Sequence, residues 1–263
     1  MSKIASKEAI GNQLIELAEK DTDLVVLTSD SRGSASMAEF ARRFPEQFVE
    51  VGIAEQNLVG IAAGLAAAGK KPFIISYAAF VTMRGIEQVK VDVAYSNVNV
   101  KIIGISGGVS YGPLGMSHHA LQDVAVMKAI PNIRVYLPAD GYQSARLIRE
   151  LAGDEGPAYI RVGRNRVENV YPSADFDFKI NQAATLIEGT DITIIVTGEM
   201  TQTAVAAAEV LHKEGISAGV VNIHSIKPLD EEAILKAAAK TRHLVTLEDT
   251  VSMAGWVRRW RRS

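Results

Sequence analysis

The chain has 263 residues, no cysteine and a formal net charge of −2, with 48% hydrophobic and 22% charged residues. That balance fits one or two globular domains with ample apolar content for a core, and it gives no global field for binding nucleic acid. The missing cysteines exclude disulfides, thiolate metal sites and a cysteine nucleophile, which fits a cytoplasmic protein; no apolar run of about 18 residues marks a membrane span, and the opening "MSKIASKEAIGNQL" lacks a signal peptide's apolar stretch.

Helical periodicity over 6–20 is followed by an apolar run, "DLVVLTSD" (23–30), that reads as a strand. A short strand then reaches Gly52, and a helix rich in glycine and alanine is predicted over 55–69. Strand "PFIISY" (72–77), a helix over 80–95, strand "VKIIGIS" (100–106) and a helix over 119–129 come next. They are followed by "RVYLPAD" (134–140), a helix over 141–152, and "AYIRVG" (158–163). Runs this apolar suit parallel strands covered by helices on both faces. The pattern lapses in "RNRVENVYPSADFDF" (164–178), then resumes with strand 191–199, helix 201–214, strand 218–225, helix 230–240 and strand 243–249. The expected fold is therefore α/β with two doubly wound domains: a mostly parallel-sheet domain at 1–164, a linker at 165–180 and a second domain at 181–263.

Three groups of residues carry possible chemistry. Glu55 opens the predicted helix over 55–69, where a carboxylate stabilises the helix dipole by about 0.3–1 kcal/mol or serves a site. Tyr77 and Phe80 stand at a strand–helix junction, as core residues or as a pocket wall. His118 and His119 lie in a glycine-rich loop, as solvated turn residues or as proton-exchanging groups near neutral pH.

The segments "GIAEQN" (52–57), "SYAAFVTMR" (76–84), "GVSYGPLGMSHHALQDVAVMKAIPNIRVYLPAD" (108–140) and "PAYIRVGR" (157–164) resemble the pyrimidine-binding domain of transketolase-family thiamine diphosphate enzymes. The resemblance covers nearly the whole chain. It implies that Glu55 hydrogen-bonds N1′ of the aminopyrimidine and shares a proton with it, a step toward deprotonating the thiazolium C2. Phe80 matches the aromatic that stacks on the pyrimidine, Tyr77 a neighbouring pocket aromatic, and Asp30 of "TSDS" a pocket aspartate near the cofactor. Arg84 falls where it can supply a polar contact, and His118 matches the histidine that contacts substrate oxygen near the reacting carbon. Lys7, in the place of a family arginine, and Arg164 are basic residues near strand ends, as phosphate contacts or as solvated loop charges. Ser106 stands where relatives have a second histidine, and Pro113 and Leu114 replace an acidic pair, which departs from the usual sugar-phosphate specificity.

The G-D-G motif that carries Mg²⁺ and the diphosphate in this family is absent, so the resemblance implies no metal site in this chain. It implies instead the C-terminal subunit of a split transketolase. An N-terminal partner subunit would supply the Mg²⁺–diphosphate half, sugar phosphates would be the substrates, and the assembly would be a dimer of heterodimers. The β subunit of a thiamine-dependent 2-oxoacid dehydrogenase and a non-catalytic homologue are the alternatives. The ending "TVSMAGWVRRWRRS" (250–263) departs from the glycine-rich turn that relatives place after "VTLED". A single-nucleotide frameshift in codons for "LEDHSVHGG" reproduces it, so the second domain is expected to be truncated, with an out-of-frame tail from about residue 250 and an uncovered sheet edge. A nucleic-acid-binding role, suggested by the tail's arginines, is not expected.

Overall fold

The computed structural model describes residues 3–250. Strand β1 (Lys3–Ala5) runs into α1 (Ser6–Ala18), β2 (Leu24–Thr28), α2 (Ala38–Arg43) and β3 (Phe48–Glu50). Then come α3 (Glu55–Ala67), β4 (Lys71–Tyr77), α4 (Ala78–Met83), α5 (Ile86–Gln88), a π-helical stretch at Val89–Tyr95, and β5 (Lys101–Ile105). A glycine-rich loop leads to α6 (Asp123–Ala129), β6 (Arg134–Tyr136), α7 (Gly141–Ala152), β7 (Ala158–Arg161) and β8 (Arg166–Glu168). The remaining elements are β9 (Ala184–Ile187), β10 (Ile192–Val196), α8 (Thr201–Lys213), β11 (Ala218–Asn222), β12 (Ser225–Lys227), α9 (Glu231–Lys240) and β13 (His243–Leu247).

Every residue of β2 and β5 is buried, as the apolar runs require of strands sandwiched between helices. The large sheet has the order β12-β6-β7-β5-β4-β2-β3, parallel throughout except for β12. Side chains alternate between its faces. Leu24, Val26, Phe73, Ile75 and Ile103 meet α1, α2 and α7 through Ile10, Leu14, Phe40, Leu147 and Leu151. Val25, Leu27, Ile74 and Ile102 meet Leu58, Val59 and Ala62 of α3, together with Val89 and Val93. The small residues of α3 allow that close approach. Helix α7 begins where the Asp140 carboxylate accepts from Gln143 N at 2.8 Å, and α9 where Asp230 accepts from Ala233 N at 3.0 Å.

The second sheet has the order β13-β10-β11-β9, with β9 antiparallel. Helix α8 covers one face, setting Ala204 and Ala208 on Ile194, Val196 and Val220. On the other face Ile195, Val221 and Ile234 join the same apolar cluster as Val135 and Leu137, so the two sheets share one continuous core. Among the described residues β13 pairs with β10 alone. The expected out-of-frame tail falls on residues 251–263, outside the described residues.

The structure departs from the expected elements at four places. The helix expected over 80–95 breaks at Gly85, where a Cβ would lie 2.9 Å from Val81 O, and resumes with π-helical geometry. The helix expected over 119–129 starts only at Asp123, which leaves both histidines in the loop. The strand expected over 218–225 ends at Asn222, and Ser225–Lys227 crosses over to pair antiparallel with β6 of the large sheet. The expected linker contains β8, which pairs antiparallel with β1 and ties this segment back to the chain's beginning. Among the described residues no helix is long and apolar enough to cross a membrane.

Candidate functional site

Parallel strands β2, β4, β5 and β7 bring their carboxyl ends to one edge of the large sheet, where open α/β sheets bind ligands. Glu50, at the end of β3, ties the neighbouring turns together. Its carboxylate accepts from Thr28 Oγ1 at 2.7 Å, Asp30 N at 2.7 Å and Gly52 N at 3.1 Å. Gly52 has φ +72°, a left-handed turn that delivers the chain to α3. That helix starts with no side-chain cap, and Glu55 occupies its first position with 2% exposure.

The Glu55 carboxylate accepts from Arg84 Nη1 at 2.7 Å. Arg84 is half exposed, and its Cζ stands 5.3 Å from the centroid of the Phe80 ring. One guanidinium therefore joins the buried carboxylate to the aromatic face. Phe80 and Arg84 line a cavity of about 440 Å³ together with Met83, Met116, His119 and Gln122.

Beside this cavity the aromatic groups converge on His118. Its ring lies 4.9 Å from Phe80, 5.1 Å from Tyr111 and 5.9 Å from Tyr77, each edge-on. His118 Nδ1 is 3.0 Å from Ser117 Oγ, and the imidazole is half-buried. Tyr77 donates to Ser34 Oγ at 2.7 Å, and burial holds its phenol above the ordinary tyrosine range. Lys7 Nζ donates to Ser34 O at 2.7 Å. Burial first, and then the Arg164 charge, hold the Lys7 ammonium below its usual value. Arg164 stacks on Tyr111, with Cζ 4.3 Å from the ring centroid. Two cations thus flank the aromatic group from one side, a place suited to an anion.

Of the residues singled out in the sequence, Tyr77, Phe80 and His118 meet directly, Glu55 joins them through Arg84, and Lys7 and Arg164 lie at the other side. Ser106 sits buried at the end of β5 with φ +61°, and its Oγ has no hydrogen-bond partner among the described residues. Asp30 is exposed, with φ +49°, and among the described residues no hydrogen bond or ion pair joins its carboxylate to the cluster. Sequence reasoning missed Tyr111 and Ser34. "SYG" places an aromatic in the glycine-rich loop, but only the fold shows that it bridges His118 and Arg164.

A buried carboxylate, an aromatic face and a roomy cavity fit the aminopyrimidine half of thiamine diphosphate. No described group of three or more His, Cys, Asp and Glu residues could hold a metal ion.

Residues 2–169 match the transketolase pyrimidine-binding domain and residues 181–258 the transketolase C-terminal domain. The chain is 48% identical over 252 residues to an apulose-4-phosphate transketolase subunit of Phocaeicola vulgatus, covering 96% of this chain and 81% of that one. It is 40% identical over 242 residues to a 6-deoxy-6-sulfo-D-fructose transketolase subunit of a Clostridium species, covering 92% and 75%. Among solved structures, a split-gene transketolase in the form of an inactive β4 tetramer superposes with a TM-score of 0.89 at 40% identity, over 98% of this chain and 84% of that one. Both domain matches and the extent of these alignments agree: this chain belongs to the transketolase family, among the subunits of split transketolases.

Proposed function

We propose that the chain is the C-terminal subunit of a two-chain transketolase that moves a two-carbon ketol unit between sugar phosphates. The active site would form where this chain meets a partner subunit carrying the Mg²⁺–diphosphate half, and the chain alone would be inactive. We take 1–164 and 181–263 as its two domains and 165–180 as the connection between them. The observation that carries this reading is the contact of Glu55 with Arg84 above Phe80, beside an aromatic group centred on His118.

Bound thiamine diphosphate would supply the nucleophilic carbon and the electron sink for the transfer. Phe80 offers a stacking face, and Tyr77 backs it edge-on with ring centroids 5.7 Å apart. Glu55, buried at the start of α3, would hydrogen-bond the aminopyrimidine in place of the 2.7 Å contact it makes with Arg84. Arg84, half exposed, is free to swing outward as the cofactor enters. His118, with Ser117 Oγ 3.0 Å from Nδ1, exchanges protons with substrate oxygen, and the surrounding rings limit its water. Lys7 and Arg164 hold the substrate's anionic end, Arg164 by its planar fork and Lys7 as a point charge. By the family resemblance, Ser106 takes a substrate-contact position and Asp30 a place near the cofactor; Ser106 Oγ is buried without a partner among the described residues, and Asp30 is exposed.

The resemblance to subunits named for apulose-4-phosphate and 6-deoxy-6-sulfo-D-fructose supports a ketose whose far end is anionic. Ketol transfer by the two chains assembled with thiamine diphosphate and Mg²⁺ tests the reading. Turnover by this chain alone, or oxidative decarboxylation of a 2-oxo acid without ketol transfer, would overturn it.

A further inference from the structure

The basic pair Lys7/Arg164 is held in place from the second sheet's side of the molecule. The turn Gly198–Met200, between β10 and α8, presents Glu199. Gly198 adopts φ +63° there, and its N–H donates to Leu137 O at 3.2 Å, docking the turn on the large-sheet unit. Gln202, one turn on, accepts from Glu168 N at 3.1 Å. Glu199 Oε1 accepts two hydrogen bonds from that unit: Ser6 Oγ at 2.8 Å and Gly163 N at 3.1 Å. Ser6 immediately precedes Lys7, and Gly163 immediately precedes Arg164. One oxygen therefore clamps the start of α1 to the exit of β7, the two backbone segments that carry the cations.

The fit leaves no slack. A Cβ at Gly163 would overlap Glu199 Oε2, so glycine is required for the carboxylate to approach the chain. The charged groups facing Glu199 are Arg161 and Asp249, both packed around the same small space with Gly107 and Leu137. Burial pushes the Glu199 carboxyl up to about 7, and Oε1 remains an acceptor whether or not the group carries a proton.

From this geometry we infer that Glu199 is a positioning residue: through Ser6 and Gly163 it fixes the spacing of Lys7 and Arg164, so the C-terminal unit tunes the anion subsite without touching the ligand. The inference rests on the reading of Lys7 and Arg164 as an anion site. It gives the second sheet a part in substrate selection that its position away from Glu55 and Phe80 does not suggest.

The test is a titration of inorganic phosphate into the full chain, followed by ¹H–¹⁵N NMR at Arg164 Nε and Gly163 N, with melting temperatures recorded in parallel. Glu199→Ala removes the acceptor and is expected to weaken phosphate binding by about tenfold, the cost of losing the hydrogen bonds that fix the pair. Glu199→Gln keeps Oε1 as an acceptor and is expected to restore binding to within about threefold of wild type. Gly163→Ala disturbs the same contact from the opposite side and is expected to weaken phosphate binding while the chain stays folded. If the wild-type chain shows no phosphate response, the anion-site reading and this inference fall together. If wild type responds and Glu199→Ala and Gly163→Ala respond equally well, the inference falls alone; so it does if the variants lose stability with unchanged phosphate affinity.

Discussion

Loss of Arg161 should be costly to folding. It is 4% exposed at the end of β7, with Nε 3.4 Å from Asp123 Oδ2 and Nη2 2.8 Å from Asp249 Oδ1. Asp123 is fully buried; its Oδ2 also accepts from Tyr159 OH at 2.7 Å, while its Oδ1 has no partner among the described residues. Glycine at 107 and 108 makes room for this group, since a Cβ at Gly107 would overlap Arg161 and one at Gly108 would overlap Asp249. Arg161→Met keeps the length of the side chain and removes its charge. Asp123 would then be a buried carboxylate without its cation, and breaking a buried pair in this way costs about 3–5 kcal/mol. Asp249 is 31% exposed and can turn to water, so it adds little.

Acid should shrink that cost. Burial already holds the Asp123 carboxyl above its ordinary value of 3.8, against the opposing pull of Arg161. Without the arginine the folded-state value rises further above the unfolded one. A raised carboxyl destabilises the fold at neutral pH and ceases to do so as pH falls toward the unfolded value. Urea denaturation of wild type and Arg161→Met at pH 7.5 and pH 5 measures both effects. A deficit under about 1 kcal/mol at neutral pH, or one that grows on acidification, would refute the reasoning. Arg161→Met combined with Asp123→Asn should recover a substantial part of the loss, because position 123 then carries no buried charge.

His224 should make the fold acid-sensitive. It is 1% exposed, its Nε2 donates to Ile180 O at 2.9 Å, its Nδ1 has no partner among the described residues, and burial pulls its value down to about 4 from 6.5. Stability is then lost as pH falls from about 6.5 through about 4, by up to about 3 kcal/mol, and His224→Gln should flatten that part of the profile; an unchanged slope counts against it. Glu199 acts with the opposite sign, because its raised carboxyl loses stability as pH climbs from 4.5 toward about 7, so the variant-minus-wild-type difference is the quantity to compare. Phe80→Leu keeps apolar bulk but removes the ring face, and should raise the Kd for thiamine diphosphate in the assembled complex about three- to tenfold, by calorimetry; an unchanged Kd would remove Phe80 from the cofactor wall.

Much of the fold was legible because it rests on local signals. Largely apolar, β-branched runs such as "LVVLT" admit few structures other than strands covered on both faces, and the residues 55–67 carry small side chains where β2 and β4 approach. The breaks were not legible. Gly85 interrupts a helical pattern that periodicity continues through; a Cβ there would lie 2.9 Å from Val81 O, a close approach that no local pattern reveals. The crossover of Ser225–Lys227 to β6 depends on an edge that only the assembled sheet offers. At the candidate site, Glu55, Tyr77, Phe80 and His118 were singled out by the resemblance of their segments to the transketolase family. The Tyr111–Arg164 stack and the Glu199 clamp were not, since each joins residues far apart in sequence through contacts that no local pattern encodes.

The central claim is that Glu55 does its work in a thiamine diphosphate site completed by a partner chain. The most direct test is the rate of ketol transfer from a ketose phosphate, measured with the two subunits together, with this subunit alone, and with Glu55→Ala in the assembled complex. The account predicts turnover only with both chains. It also predicts a loss of at least about 10²-fold in kcat for Glu55→Ala, with the melting temperature little changed. Near-wild-type turnover by Glu55→Ala in a complex that binds the cofactor would contradict it.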